Sequence, residues 1–424
     1  MKYPIKRLGS VSDPDLNGRS FVGVSRIGDS DRISIVVPYG IDDIVLPDEI
    51  GENDKEFDFL RHYVKAVHKA LTDTMEREEI RSGLHNPTAA VNILHDYLSH
   101  GKYIEYDPSS ELSDRGKIDF NQTIKKILPT ILENEFYYDQ FITRKKIVST
   151  DNLVAAVQCK VINHFMQHGG VLLFGQSITA PRSDIKLNHT TVTRLRKELS
   201  NTFNSRKENI IRWCIEYIDG LRNLNEKDHF GGRWNYAVIA YSFWETMVTS
   251  VLGDRRPRKK SQYGKVYSFK NFDGTIRQVG NPTEHDTIYE DDDKLIIIDA
   301  KMYGRVENLL SEENLGKQFG YYEEAKRKKK AAGEDKTIVN IMLLPKLGED
   351  TRGFQPYFID DPHTPATADP YKIIFIYEFP ANELIEAYYK GINLNAAFID
   401  EFSSFVSTPT VEAYLARRGC VYKF

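Results

Sequence analysis

Apolar positions near the amino terminus alternate before they become helical. In SFVGVSRIGDSDRISIVVPYG two strand-like runs, Phe21 to Arg26 and Arg32 to Pro38, flank a turn at Gly28, Asp29, Ser30 and Asp31, a pattern that predicts a β-hairpin. From Glu56 to Arg81 the residues Phe57, Leu60, Tyr63, Val64, Val67 and Leu71 recur at three- and four-residue spacing, as in an amphipathic helix. A second helix is predicted over Ala89 to Leu98, and FYYDQFITRKKIV turns back to a strand-rich composition. Helical spacing then holds over Asp151 to Gln167, Thr190 to Phe203 and Lys207 to Leu221.

The pattern breaks at Asn223 to Asn235, NLNEKDHFGGRWN, which is polar and contains glycine, the composition of a connection between domains. Beyond it a helix with bulky residues is predicted over Tyr236 to Leu252. A basic loop, alternating strands, a helix from about Glu312 to Lys330 and the strand TIVNIMLLP follow. Strand, strand, helix, strand is the order of a mixed α/β sheet. The expected organisation is an α+β amino-terminal region over 1–222 built from the hairpin and the helices, a linker at 223–235, and a carboxy-terminal α/β domain with a mixed central sheet over 236–424.

Composition narrows the class. The chain has 424 residues, of which 41% are hydrophobic, enough to fill the core of one large or two ordinary domains. Lys and Arg total 57 against 61 for Asp and Glu, a formal charge of -4, so any grip on a polyanion must come from local basic clusters. Cys159, Cys214 and Cys420 are too few and too scattered for a disulfide scaffold or a zinc ribbon. The first residues show no apolar run after their basic positions, and no stretch reaches the roughly 18 apolar residues of a membrane span. The expectation is a cytoplasmic protein with no membrane segment. No G-x-x-x-x-G-K-[ST] loop, H-E-x-x-H or G-x-S-x-G motif occurs, and the 11 histidines lack ligand spacing, so the chain is not read as its own NTPase or as a hydrolase of those classes.

The chemistry concentrates in NPTEHDTIYEDDDKLIIIDAKMY, residues 281–303. A strand ends in the acidic turn Glu290 to Lys294, and the next, Leu295 to Ile298, runs into Asp299, Ala300 and Lys301. Side chains alternate along a strand, so Asp299 and Lys301 point the same way, and Asp286 on the neighbouring strand can converge on them. Phosphodiester hydrolysis uses such a set. Hard oxygen ligands hold Mg²⁺, with Mn²⁺ as a substitute, and a lysine orients or helps deprotonate the attacking water. The metal ligands read here are Asp286, Asp299 and the backbone carbonyl of Ala300. Glu245, within the apolar helix YAVIAYSFWETMVTSVL, either reaches the metal or faces solvent. In NLGKQFGYYEEAKRKKK, Gln318 and Tyr321 share a helix face. Phe319 and Tyr322 cover the sheet, and Gln318 is a candidate for contact with phosphate or the lysine.

In order, these residues resemble the PD-(D/E)XK nucleases, and in particular McrC-like subunits and the LlaJI family of restriction endonucleases. The resemblance rests on Phe243, Trp244 and Glu245 in a helix, Asp286 thirteen positions before Asp299-Ala300-Lys301, and Gln318 with Tyr321 in the following helix. The opening hairpin is similar to that of LlaJI-type proteins. His285 stands where the name-giving motif has proline, which leaves Glu284 and Glu290 as alternatives to Asp286 for the first acid. The resemblance implies a PD-(D/E)XK fold for the carboxy-terminal domain, cleavage of double-stranded DNA in an antiviral restriction system, and an AAA+ GTPase partner of the McrB type.

Two basic clusters flank the proposed site. Arg255, Arg256, Arg258, Lys259 and Lys260 precede its first strand, while Lys326 and Arg327 open the run that ends the Gln318 helix. Such clusters give salt-sensitive, sequence-independent contacts to phosphate. With no nucleotide loop and no strong basic stripe, region 1–222 is expected to dock the partner; Arg144 to Lys146 and Arg194 to Lys197 are its best alternative as DNA contacts. A stand-alone type II restriction or repair nuclease and a non-catalytic nuclease-like adaptor are the competing readings.

Overall fold

The computed structural model describes residues 2–7, 21–26, 33–41, 46–75, 87–133, 135–149, 152–225, 234–253, 267–270, 276–279, 286–302, 312–346, 353–358 and 373–417. The chain is a mixed α/β protein with mixed sheets, and it groups into two compact units. One comprises residues 1–86, 168–177 and 223–424; the other comprises 87–167 and 178–222.

In the larger unit the amino-terminal hairpin forms, with Phe21–Arg26 antiparallel to Ile33–Val37 and Gly23 opposite Val36. It is core, since Val22, Val24, Ile35 and Val37 are fully buried. A five-stranded sheet is completed by Lys2–Arg7, Glu49–Gly51 and, on the far side of Phe21–Arg26, by Trp234–Ile239. That last strand corrects the sequence reading, which began a helix at Tyr236. The helix is Ala240–Leu252, and Tyr236 to Ile239 pair with Phe21 to Val24, where β-branched Val238 and Ile239 suit a ladder.

The same pairing explains why the compact grouping does not follow a cut at residue 222. Residues 1–86 belong with 223–424 because a strand from each lies side by side. The helix Phe57–Met75 adds to this, burying Leu60, Tyr63, Val64 and Val67 as its spacing predicts and packing on Ala240–Leu252 and Ala381–Lys390. Tyr63 crosses edge-on to Phe243 at 6.1 Å and donates its hydroxyl to the carbonyl of Val36. At Gly40, where φ is +84°, a Cβ would lie 2.5 Å from the carbonyl oxygen of Lys346, so only glycine lets the two segments approach.

The second sheet of this unit carries the predicted chemistry. Its order is Thr287–Glu290, Lys294–Ala300, Thr337–Pro345, Ile373–Phe379 and Gly353–Phe358. The three middle strands are parallel and both edges antiparallel. Parallel strands are covered on both faces, which is why LIIID and TIVNIMLLP read as nearly continuous apolar runs. The crossover between the first two parallel strands is the helix Glu312–Ala331. Its Tyr321, Tyr322 and Ala325 pack on Leu295, Ile297 and Ile338. One and two turns earlier, Phe319 and Leu315 lie against Met342, Leu344, Ile374 and Ile376.

The smaller unit holds the helices Thr88–His100, Leu153–Phe165, His189–Ser200 and Ser205–Asn225, each within a few residues of its predicted bounds. It also holds a three-stranded sheet, in which Tyr106–Leu112 and Lys117–Ile118 both pair with Ile142–Val148, and the small hairpin Thr130–Leu132 with Glu135–Tyr137. Cys159 and Cys214 are buried free thiols. Among the described residues no helix is long and apolar enough to cross a membrane.

Candidate active site

Strand register brings the two aspartates together. Thr287 pairs with Ile298 in the antiparallel hairpin, and continuing that register by one residue puts Asp286 opposite Asp299. The main-chain N–H of Ala300 donates to Asp286 Oδ2 at 2.7 Å, which fixes the carboxyl over the end of the neighbouring strand. Asp299 is only 5% exposed, and Lys301, on the same face two residues on, places Nζ 2.9 Å from Asp299 Oδ2. Lys301 is itself held by its N–H, which donates to the carbonyl of Leu343 on the next strand at 2.9 Å.

The helix Ala240–Leu252 supplies the third acid. Its buried Phe243, Trp244, Met247 and Val248 anchor it, and Trp244 Nε1 donates to the same Leu343 carbonyl at 3.3 Å. Glu245 is half-buried, not turned out to solvent, and its charge acts on both Asp286 and Lys301. Burial, followed by the repulsion of Asp299 and Glu245, pushes the Asp286 carboxyl well above the ordinary aspartate range. Burial opposes the Lys301 charge, but Asp299, Asp286 and Glu245 together outweigh it and hold the ammonium more firmly protonated than a free lysine. Glu245, Asp286, Asp299 and Lys301 thus form one electrostatic cluster.

Glu290 lies at the other end of the hairpin. It pairs with Leu295, four residues from the Asp286 end, or roughly 13 Å along a strand. Although it opens the acidic turn, it is half-buried and bound by Lys329 and Lys336. These lysines pull its carboxyl below the usual glutamate range against the effect of burial. The turn is organised by Asp291, whose Oδ1 accepts from the N–H groups of Asp293 and Lys294 at 3.0 and 2.8 Å. Glu284 falls outside the described residues.

Gln318 is fully buried, and neither atom of its side-chain amide has a hydrogen-bond partner among the described residues. Tyr321 and Tyr322 belong to the cluster that contains Ile297, and Phe319 packs on the cluster that contains Met342, the residue paired with Asp299, so this turn of helix lies over the strand ends that carry Asp299. Asn340 Nδ2 donates to the Gln318 carbonyl at 3.2 Å.

The cluster at Arg255, Arg256, Arg258, Lys259 and Lys260 lies outside the described residues. Arg327 forms a two-point ion pair with Glu324, at 2.6 and 3.0 Å, while Lys326 is exposed near the Tyr322 ring. Sequence reasoning did not single out Thr249, whose hydroxyl donates to the main-chain carbonyl of Asp286 at 2.8 Å. A threonine bonding a backbone atom far away in sequence leaves no motif to read.

For metal chemistry the donors are hard oxygens. Among the described residues no group of three or more His, Cys, Asp or Glu side chains is arranged to hold an ion unaided. Mg²⁺ does not need such a cage, since it is commonly held by one or two carboxylates, with water and substrate phosphate completing its shell. Two facing carboxylates whose mutual repulsion raises the pKa of one are a donor set that a divalent cation relieves.

The family model described as LlaJI restriction endonuclease matches residues 59–356. No curated protein matches the sequence.

Proposed function

The chain belongs to the LlaJI restriction endonuclease family, a family of restriction-system DNA nucleases, and from that premise we propose that it is a Mg²⁺-dependent endonuclease subunit of the PD-(D/E)XK type, working in the cytoplasm with an McrB-like AAA+ GTPase. The observation that carries the catalytic part is the ion-paired Asp299 and Lys301 on one strand face, with Asp286 opposite and Glu245 within electrostatic reach. In this reading Asp286 and Asp299 hold the ion, with the Ala300 carbonyl and Glu245 as further oxygen donors. When bound, the ion offsets charge on the scissile phosphate and lowers the pKa of a water. Lys301, kept as an ammonium by its acid neighbours, orients the attacking water and donates to a phosphate oxygen. Gln318, whose side-chain amide has no hydrogen-bond partner among the described residues, suits a contact to phosphate. Lys326 and the basic residues from Arg255 to Lys260 are assigned to the DNA backbone. Arg327 has a weaker claim, since its guanidinium is already committed to Glu324.

Docking of the partner is assigned to the region before residue 223. The strands of the opening hairpin are buried, whereas the smaller unit carries exposed apolar side chains. In the smaller unit, Leu112, Phe120, Ile124, Leu128, Ile131 and Phe136 are all exposed, Leu128 at 91%, and Ile131 and Phe136 sit directly across the small hairpin from each other. Large apolar side chains held in water in this density favour a protein contact.

The test is to purify the full chain and assay cleavage of duplex DNA with Mg²⁺, with and without an McrB-type AAA+ protein from the same genome, adding GTP. Cleavage that requires Mg²⁺, partner and GTP is expected. Cleavage by the chain alone with Mg²⁺ would replace this reading with the stand-alone enzyme, and no cleavage under any condition would replace it with the adaptor.

A further inference from the structure

Asp286 is the acid with the least support from the sheet. It stands immediately before the strand Thr287–Glu290, so strand pairing constrains it from one side only. Its carboxyl is caught by the Ala300 N–H, and its carbonyl is caught by Thr249. These two bonds pin the residue at both ends.

The helix partner is suited to this task. A threonine hydroxyl within a helix ordinarily bonds back to the carbonyl four residues earlier, which here belongs to Glu245. Thr249 Oγ1 donates outward to Asp286 instead. Glu245 and Thr249, four apart, share the helix face turned to the acid strand. The helix is anchored at both ends, through Trp244 on the Leu343 carbonyl and through the N–H of Leu394 on the Val251 carbonyl at 2.9 Å. Because Leu343 also accepts the N–H of Lys301, the position of this helix is tied to both the lysine and the first acid.

We propose that Thr249 is a positioning residue that sets the main chain of Asp286, and thereby holds its carboxylate opposite Asp299 and beside Glu245. The role rests on the nuclease reading above. A hydroxyl bound to a main-chain carbonyl contributes no charge to the cluster, so its effect is geometric: without it the stretch before Thr287 can drift, and the two carboxylates no longer present a fixed pair of oxygens.

The experiment compares Thr249→Val and Thr249→Ser in the full chain, with Asp299→Ala alongside. Bound Mn²⁺ is measured by paramagnetic resonance, cleavage with the partner gives kcat and KM, and melting reports the fold. Removing the hydroxyl is expected to lower Mn²⁺ affinity and kcat by about 10–100-fold, the usual cost of losing a group that orients a ligand. KM for DNA and Tm should stay near parental values, and serine should restore both losses. Thr249→Ala gives the same comparison if valine disturbs packing. Parental Mn²⁺ affinity and kcat in the hydroxyl-free variants overturn the role, as does equal loss in the serine variant. If Asp299→Ala cleaves as well as the parent, the nuclease reading itself has failed; if that variant is dead and Thr249→Val is parental, only Thr249 loses its part.

Discussion

Asp286 works against its own charge. Burial and two neighbouring acids favour its protonated form, so the folded chain binds a proton there more readily than the unfolded chain does. The contribution to stability is therefore complete below the unfolded aspartate range, near pH 4, and is lost as pH rises through the raised folded value. Asp286→Asn should consequently melt higher than the parent in EDTA at pH 8, and the difference should shrink towards pH 5. Added Mg²⁺ should stabilise the parent but not the variant, and the variant should not cut DNA. Glu290→Gln should behave in the opposite way, with cleavage retained and Tm lowered, because Glu290 binds Lys329 and Lys336 far from the aspartate pair. If Glu290→Gln abolishes cleavage and Asp286→Asn does not, the first acid has been misassigned. At this scale alternation along a strand is enough to place Asp299 and Lys301 on one face, as the ion pair between the two side chains requires no long-range information. The resemblance favoured Asp286 as the first acid and kept Glu284 and Glu290 as substitutes, because the register of a hairpin is settled by pairing, not by composition.

At the scale of elements, what was legible depended on how local the cause is. LIIID and TIVNIMLLP announce themselves because a parallel strand covered on both faces is apolar throughout. The helices Phe57–Met75 and Leu153–Phe165 show their buried faces in the spacing of their apolar residues. Trp234–Ile239 was absorbed into the following helix because its partner, Phe21–Arg26, lies at the far end of the sequence, and strand identity there comes from that partner. The same long-range pairing hid the grouping of 1–86 with 223–424. Hydrophobic spacing in the Gln318 helix showed a covering face, but the burial of Gln318 itself is a consequence of the layer beneath it. Element-level coupling also gives a prediction. Lys329 and Lys336 share Glu290 and Glu334, tying the end of the crossover helix to the acidic hairpin. Lys336→Met should lower Tm while leaving kcat near the parental value, and a large loss of kcat at unchanged Tm would place this network in the reaction.

For the whole molecule, the match to the LlaJI restriction endonuclease family spans the segment that holds the acid–lysine cluster, and the proposed chemistry is placed there. The exposed apolar side chains of the smaller unit are where the proposed partner would dock. Phe136→Glu or Leu128→Glu in the full chain should weaken association with the AAA+ partner in sedimentation or calorimetry by tenfold or more, about the 1.4 kcal/mol that one strong interface contact carries. Melting and Mn²⁺ binding should be untouched, and unaltered association would move the docking surface elsewhere. The central claim is that Asp299 and Lys301 carry out phosphodiester cleavage, and its most direct test is single-turnover cutting of duplex DNA by Asp299→Ala and Lys301→Ala, assembled with the partner at matched folded concentration in Mg²⁺. A loss of about 10²–10³-fold or more in each, with partner binding retained and a lower Tm for Lys301→Ala, which leaves the buried acids without their counter-charge, is the predicted result; parental rates in both variants would contradict it.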